Sequence, residues 1–298
     1  MNILIVGGTG LTGAHAALHL HHLGHNITLM ARKPPALDCL AGFGFIAGDY
    51  LKDDIDERHL GGFDALVFAA GADLRMLPDG NNADHFFHQA NAIATPRFFA
   101  RAKACGIGKA IYIGSWYAQV APWAIACSAY VRSRHQADIA VRALSDDHFM
   151  VCSLNAPFII GHVPGLVVPH LQALALYAAG RLPGIPVVAP AGGVNHISSQ
   201  SMSEAIAALL EHGRGGTAYL AGDENLSWKD YLECWFAAAG NPQALPLTAD
   251  EHPLLPDIIL YAGRNREVYI APDSNTLPYC RGQIRQTIAE VAAACLHG

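Results

Sequence analysis

Charge is scarce in this sequence. Asp, Glu, Lys and Arg make up 15% of its 298 residues, and the 19 basic residues form no dense run. The formal net charge is −6 and the sequence pI is about 6.2. The chain therefore lacks the basic patch that nucleic acid demands and the polybasic cluster that holds a protein to an anionic membrane. Long apolar runs are missing too. The first one, Ile3 to Val6, is far too short for a signal peptide or a membrane span. The seven cysteines, at 39, 105, 127, 152, 234, 280 and 295, are odd in number and form no CxxC. That pattern excludes a disulfide frame or a zinc site and reads as reduced thiols in a cytoplasmic protein. No repeat, low-complexity segment or linker composition breaks the chain. A hydrophobic content of 52% suits a sizeable core, and the length fits one large domain or two modest ones.

The first half alternates between two periodicities. The segments "NILIVG", "HNITLMAR", "FGFIAGD", "FDALVFAAG", "KAIYIGS" and "FMVCSLNAPFIIG" read as six strands. They are short, apolar and mostly end at small residues, as buried parallel strands do. Residues 11–24, the stretch from His85 to Gly106, and residues 128–146 read as the helices between them. This alternation predicts an α/β fold with a Rossmann-type doubly wound parallel sheet over residues 1–160. Beyond Gly161 prolines cluster at 164, 169, 183, 186 and 190, and the elements shorten. Residues 161–298 read as a smaller, mixed region, of which about 194–222 return to the first core. There "SQSMSEAIAALLEHG" carries a capping-box pattern, Ser201 with Glu204, and "AYLAG" reads as a strand.

The segment "VGGTGLTG" spaces Gly7, Gly10 and Gly13 as GxxGxxG between the first strand and a helix. Glycines there permit a tight turn and let backbone approach a pyrophosphate, which the free amides and partial positive charge of the helix start then hold. The plainer reading is a glycine turn between any strand and helix; the N-terminal βαβ context favours dinucleotide binding. Thr9 and Leu11 belong to the same turn. The second strand ends at Arg32 and Lys33 with no acid. An NAD site would place Asp or Glu there for the ribose 2′-hydroxyl, whereas two cations suit the 2′-phosphate of NADP; the bland alternative is a pair of solvated charges. Asp49 either accepts from an adenine amino group or caps the next turn. Ala69, Ala70 and Gly71 close the fourth strand with side chains small enough for a cofactor to lie against backbone.

With "GGTGLTG", "GDYLKD", "FAAG", "NAIAT", "YIGS", "YVRSR", "NAPFIIG" and "HISSQSMSEAI" in place, the chain resembles the extended short-chain dehydrogenase/reductase family, which includes NAD(P)-dependent epimerases and dehydratases. The resemblance runs over most of the chain and is strongest up to Gly161. It implies that Ser115, Tyr130 and Arg134 stand where that family has its Ser/Thr and its Tyr-x-x-x-Lys pair. Ser115 would bond a substrate carbonyl or hydroxyl, and Tyr130 would donate or accept the proton as hydride moves to or from nicotinamide. It also implies a cofactor role for Pro157 and for Asn91, which otherwise supports the site or bonds local backbone. The C-terminal region becomes the substrate-binding one, and two first-domain helices suggest a homodimer. Two departures stand out: Arg134 replaces the lysine, and Ser201 replaces a common aspartate.

The arginine matters chemically. A tyrosine with a pKa near 10 is a poor base at neutral pH, and a cation within about 4–6 Å favours its ionised form. Arginine supplies that field and can hydrogen-bond a ribose diol with its fork, but gives up no proton. The opposing reading makes Tyr130 and Arg134 an ordinary i,i+4 surface pair. Tyr117, two residues past Ser115, is a second candidate phenol. The histidines 15, 19 and 22 share a helical face and read as solvated rather than as a metal site. Arg264 and Arg266 read equally as substrate-phosphate ligands, by the resemblance, or as surface charges. Phe158, Trp116, Trp123 and Tyr177 line a cleft or fill a core. The expectation is an NADP(H)-dependent oxidoreductase or epimerase, with NAD possible, acting on a small molecule such as a sugar-nucleotide or ketone. The alternative is a non-catalytic NADP-binding regulator or interaction protein of the same fold.

Overall fold

Short runs of branched apolar residues, with no polar face to offer water, become the strands of one parallel sheet. The computed structural model describes residues 1–52, 55–78, 80–270 and 277–297, and only the backbone of residue 75. The strands are β1 (Asn2–Val6), β2 (Asn26–Ala31), β3 (Gly44–Ala47), β4 (Ala65–Phe68), β5 (Lys109–Ser115) and β6 (Met150–Ala156), then β7 (Phe158–Ile160), β8 (Ala189–Pro190), β9 (Gly193–Ser198), β10 (Ala218–Leu220), β11 (Glu224–Ser227), β12 (Leu247–Thr248) and β13 (Glu267–Val268). The main sheet runs β10-β6-β5-β4-β1-β2-β3, with every pairing parallel. All of β4 and Ile3 to Ile5 of β1 are fully buried. The strand order reverses between β1 and β4, which opens a crevice at their carboxyl ends.

The helices are α1 (Leu11–His22), α2 (Ala83–Phe87), α3 (Thr95–Ala104), α4 (Tyr117–Val120), α5 (Ala124–Cys127), α6 (Ala129–Arg142), α7 (Pro169–Ala178), α8 (Ser199–His212), α9 (Trp228–Ala238) and α10 (Ile284–His297). On one face of the main sheet α1 and α8 pack through Ala14, Ala17, Leu20, Met202, Ile206 and Leu209. On the other, α3 and α6 bury Phe98, Phe99, Ala137 and Val141. A further core joins α7, α9 and α10 to the second sheet, in which β9 pairs with β7, β11 and β13. The chain between 194 and 222 thus supplies β9 to the second sheet, then α8 and β10 to the first.

Three expectations shift. The expected sixth strand is two strands, because Pro157 has no N–H for the ladder: β6 stays in the main sheet and β7 crosses to β9. The cap of α8 is Ser198, whose Oγ accepts from the Ser201 amide at 2.9 Å. Glu204 accepts instead from the Cys280 amide and from Gln200, so the capping box starting at Ser201 does not form. The histidine face is only partly solvated, since His15 Nδ1 lies 2.8 Å from Ser203 Oγ; burial, with neighbouring His19, lowers its pKa to about 4.

His196, on β9, is fully buried and stacks on Tyr231 with ring centroids 4.5 Å apart. Burial lowers its pKa from 6.5 to about 3, with the Val194 backbone opposing the shift. The folded protein therefore keeps a neutral imidazole while the unfolded chain takes up a proton. This contribution leaves stability intact above about pH 6.5 and erodes it as the pH falls toward about 3. Between about pH 6.5 and pH 4 the Tm of the unmodified protein should fall more steeply than that of His196→Phe, by the equivalent of a few kcal/mol. Parallel Tm–pH curves would contradict this role.

Candidate active site

The glycine turn is sterically compulsory at two positions. Gly7 has φ +81°, and a Cβ there would lie 2.7 Å from the Ala70 amide nitrogen. At Gly13 a Cβ would stand 2.3 Å from the Gly7 carbonyl oxygen. Gly10 is different: a Cβ on it would meet nothing closer than 3.5 Å. It is the N-cap of α1, with no side-chain cap and no acid in the first turn, so the first amides of α1 are left for another acceptor. Thr9, Leu11, Ala69, Ala70 and Gly71 are partly exposed around this end. A pyrophosphate fits such an acid-free, side-chain-free cradle. Arg32 and Lys33 stand exposed just past β2. Asp49 Oδ1 accepts from the Leu51 amide at 3.1 Å, so the side chain does form the local turn.

The helix carrying the phenol begins at a built cap. Ser128 Oγ accepts from the Val131 amide at 3.3 Å, a contact worth about 1 kcal/mol. One turn in, Tyr130 and Arg134 do meet: Arg134 Nη1 donates to Tyr130 Oη at 3.3 Å. This is no surface pair, since Arg134 is 8% exposed. Its Nε donates to Tyr112 Oη at 2.9 Å and its Nη2 to the Ile113 carbonyl at 2.5 Å. The guanidinium also lies 5.4 Å from the Tyr112 ring centroid and 5.7 Å from that of Tyr130. Gly71 makes room for it, because a Cβ there would come within 2.6 Å of Nη1. Burial raises the Tyr112 pKa, with the Arg134 cation pulling the other way. Tyr112 is the one member of this cluster that the motif spacing does not single out. Its signal lies in strand alternation, which turns it toward the core shared with α6.

Asn91 sits in a π-helical segment, His88–Ala94, between α2 and α3. It is 1% exposed. Its amide donates to the Ala72 carbonyl and to Ser133 Oγ, and its Oδ1 accepts from the Ala72 amide, each at 3.1 Å. Ser133 Oγ in turn donates to the Tyr130 carbonyl at 2.9 Å. Asn91 therefore ties the loop after β4 to α6, as a residue supporting the site would. Pro157 is buried at the β6–β7 break. Ser115 ends β5, partly exposed, opposite Ala156 in register and two residues past the Ile113 carbonyl that Arg134 engages.

The remaining candidates separate. Trp116 and Tyr177 are core residues, 0% and 2% exposed. Phe158 packs against His196, Trp228 and Tyr231. Arg264 forms a two-armed ion pair with Asp257, at 2.7 and 2.5 Å, and so behaves as a structural charge. Arg266 lies over Trp123, 5.3 Å from its centroid. Tyr117 is joined by a phenol that nothing in the sequence pattern flags: Tyr261, from the turn-rich C-terminal part, stacks on Tyr130 with centroids 4.4 Å apart and planes at 17°.

A parallel sheet that reverses its order beside a glycine turn, with a Tyr-x-x-x-Arg helix packed on β5, has the build of an extended short-chain dehydrogenase/reductase. Residues 3–222 match the NAD dependent epimerase/dehydratase family, and the chain belongs to that family. It is 33% identical over 113 residues to a 2-alkyl-3-oxoalkanoate reductase of Stenotrophomonas maltophilia (strain K279a). That match spans 38% of this chain and 32% of the relative. Its fold is similar to that of UDP-glucose 4-epimerase from Bifidobacterium longum, solved with NAD+ and UDP (TM-score 0.74, 16% identity, 99% of this chain and 97% of the other). It is equally similar to a dTDP-glucose 4,6-dehydratase double mutant from Streptomyces venezuelae, solved with NAD bound (TM-score 0.74, 16% identity, 100% and 98%).

Tyr112→Phe removes the acceptor of a buried guanidinium N–H. It should lower unfolding stability by about 1–3 kcal/mol in denaturant titration; a loss within about 0.5 kcal/mol, the range of ordinary surface substitutions, would show that the contact contributes nothing.

Proposed function

We propose that this protein is an NADP(H)-dependent oxidoreductase or epimerase that acts on a carbonyl or hydroxyl of a small molecule. The observation that carries the reading is the buried Tyr130–Arg134 contact beside Gly71, on the crevice that opens over the glycine turn. Gly7, Thr9, Gly10, Leu11 and Gly13 would hold the pyrophosphate, Arg32 and Lys33 the 2′-phosphate, and Ala69 to Gly71 the floor under the rest of the cofactor. A nicotinamide dinucleotide bound there would supply the hydride acceptor or donor. Ser115 would hold the substrate oxygen, and Tyr130 would give it a proton or take one from it. Arg134 puts a positive charge beside the Tyr130 oxygen and, being permanently protonated, relays no proton. The relative named as an oxoalkanoate reductase and the neighbours named as a UDP-glucose 4-epimerase and a dTDP-glucose 4,6-dehydratase both support a carbonyl or hydroxyl as the reacting group. Exposed Ile93 and Ile139, at 44% and 49%, support a homodimer through the helices of this face.

A second reading, a non-catalytic NADP-binding regulator, draws support from the Tyr261 ring stacked over Tyr130. One measurement tests the NADP assignment that both readings share, and a second separates them. NADPH should bind about tenfold more tightly than NADH, and Arg32→Ser with Lys33→Ser should abolish the preference; tighter NADH binding would overturn the NADP assignment. Tyr130→Phe should cut turnover by about a hundredfold or more with NADPH affinity retained. Unchanged turnover would remove Tyr130 as the acid/base.

A further inference from the structure

We propose that Tyr261 is a specificity-determining residue that narrows the approach to Tyr130, favouring open-chain carbonyl compounds over ring-shaped ones. This rests on the functional reading above for the identity of the reacting phenol; the geometry that carries it is separate.

Tyr261 does not dangle over the site. It lies in a tight turn in which the Gly263 amide donates to the Leu260 carbonyl at 2.7 Å, with Gly263 at φ +102°. The flanking Leu260 and Ala262 are buried, 7% and 8% exposed. The Trp123 indole N–H, from the segment after β5, donates to the Ala262 carbonyl at 3.2 Å. The turn is thus fastened to the same stretch of chain that carries Ser115 and Tyr117. From it the Tyr261 ring runs parallel to Tyr130 at 4.4 Å and meets Tyr117 edge-to-face at 5.4 Å. Phe87 closes a further side of Tyr130, edge-on at 5.8 Å.

A substrate oxygen must come within about 2.6–3.2 Å of the Tyr130 hydroxyl to exchange a proton. Two rings stacked at 4.4 Å leave no slot for a third body between them, since each carbon-to-carbon contact needs about 3.5–4 Å. No substrate therefore lies over that face of Tyr130 unless Tyr261 is displaced; the hydroxyl is reached along the edge of the stack, where a thin chain needs less room than a ring. Beyond Tyr117 the lining is mixed: Val194, Trp228, Leu260 and Val268 stand with the Arg266 guanidinium.

The test compares NADPH oxidation by the unmodified protein, Tyr261→Ala and Tyr261→Phe with 2-heptanone and with 4-phenylcyclohexanone. Tyr261→Ala should raise the ratio of kcat/KM for the ring ketone over the chain ketone by about tenfold or more, and Tyr261→Phe, which keeps the ring, should leave it within about twofold. A ratio unchanged in Tyr261→Ala, with NADPH affinity retained, overturns the assignment. If the unmodified protein oxidises NADPH with neither ketone, the reduction of such ketones is what has failed, and the gate is read without turnover. Nitration of Tyr130 by tetranitromethane, located by peptide mass spectrometry, should then rise several-fold in Tyr261→Ala over both the unmodified protein and Tyr261→Phe. Equal nitration in all three overturns the proposal.

Discussion

A guanidinium taken out of water must be met by acceptors, and Arg134 is met by none that carries a charge. Among the described residues no carboxylate pairs with it; Asp138, one turn further along α6, pairs with Arg142. Its partners are two phenol oxygens, a backbone carbonyl and two ring faces. Burying an ion costs several kcal/mol unless its hydrogen bonds are made, and these contacts draw three elements to one point. Tyr112 and Ile113 fix β5, Gly71 fixes the end of β4, and Tyr130 fixes the first turn of α6. Asn91 then locks the β4 loop to α6 from behind. A net positive charge remains in the cluster, bonded to the hydroxyls of both Tyr112 and Tyr130.

The second layer of the site comes from a different core. The aromatic cluster around Trp228, Tyr231 and Trp235 supports β9 and its neighbours, and the turn bearing Tyr261 is anchored to that lobe through Leu260 and Ala262. The two cores therefore do separate things. The parallel sheet positions the cradle at Gly7 to Gly13 and the phenol–guanidinium pair. The smaller lobe carries Tyr261, which stacks on Tyr130.

Much of this is legible in the sequence, for physical reasons that differ by element. The main-sheet strands announce themselves because buried parallel strands tolerate only apolar residues, and Gly7 and Gly13 because no side chain fits there. Tyr130 and Arg134 are found by helical spacing. Their burial is not, since spacing gives neighbours but no environment; that Arg134 is interior depends on Tyr112 and Gly71, which are distant in sequence. The split at Pro157 was readable in principle from the missing N–H. The start of α8 at Ser199 was not, because Ser198 and Ser201 both offer a capping hydroxyl. Tyr261 had no signal at all: it is placed by a turn and by a single indole hydrogen bond across 139 residues.

The central claim is that the Arg134 guanidinium, held by Tyr112 and Ile113, organises one centre in which cofactor and phenol meet. A crystal structure of the protein with NADPH tests it most directly. The account predicts the pyrophosphate on the amides that open α1, the nicotinamide end beside Gly71, and Arg134 still bonded to Tyr112 and Tyr130. A dinucleotide bound elsewhere, or an Arg134 side chain swung into solvent, would contradict it.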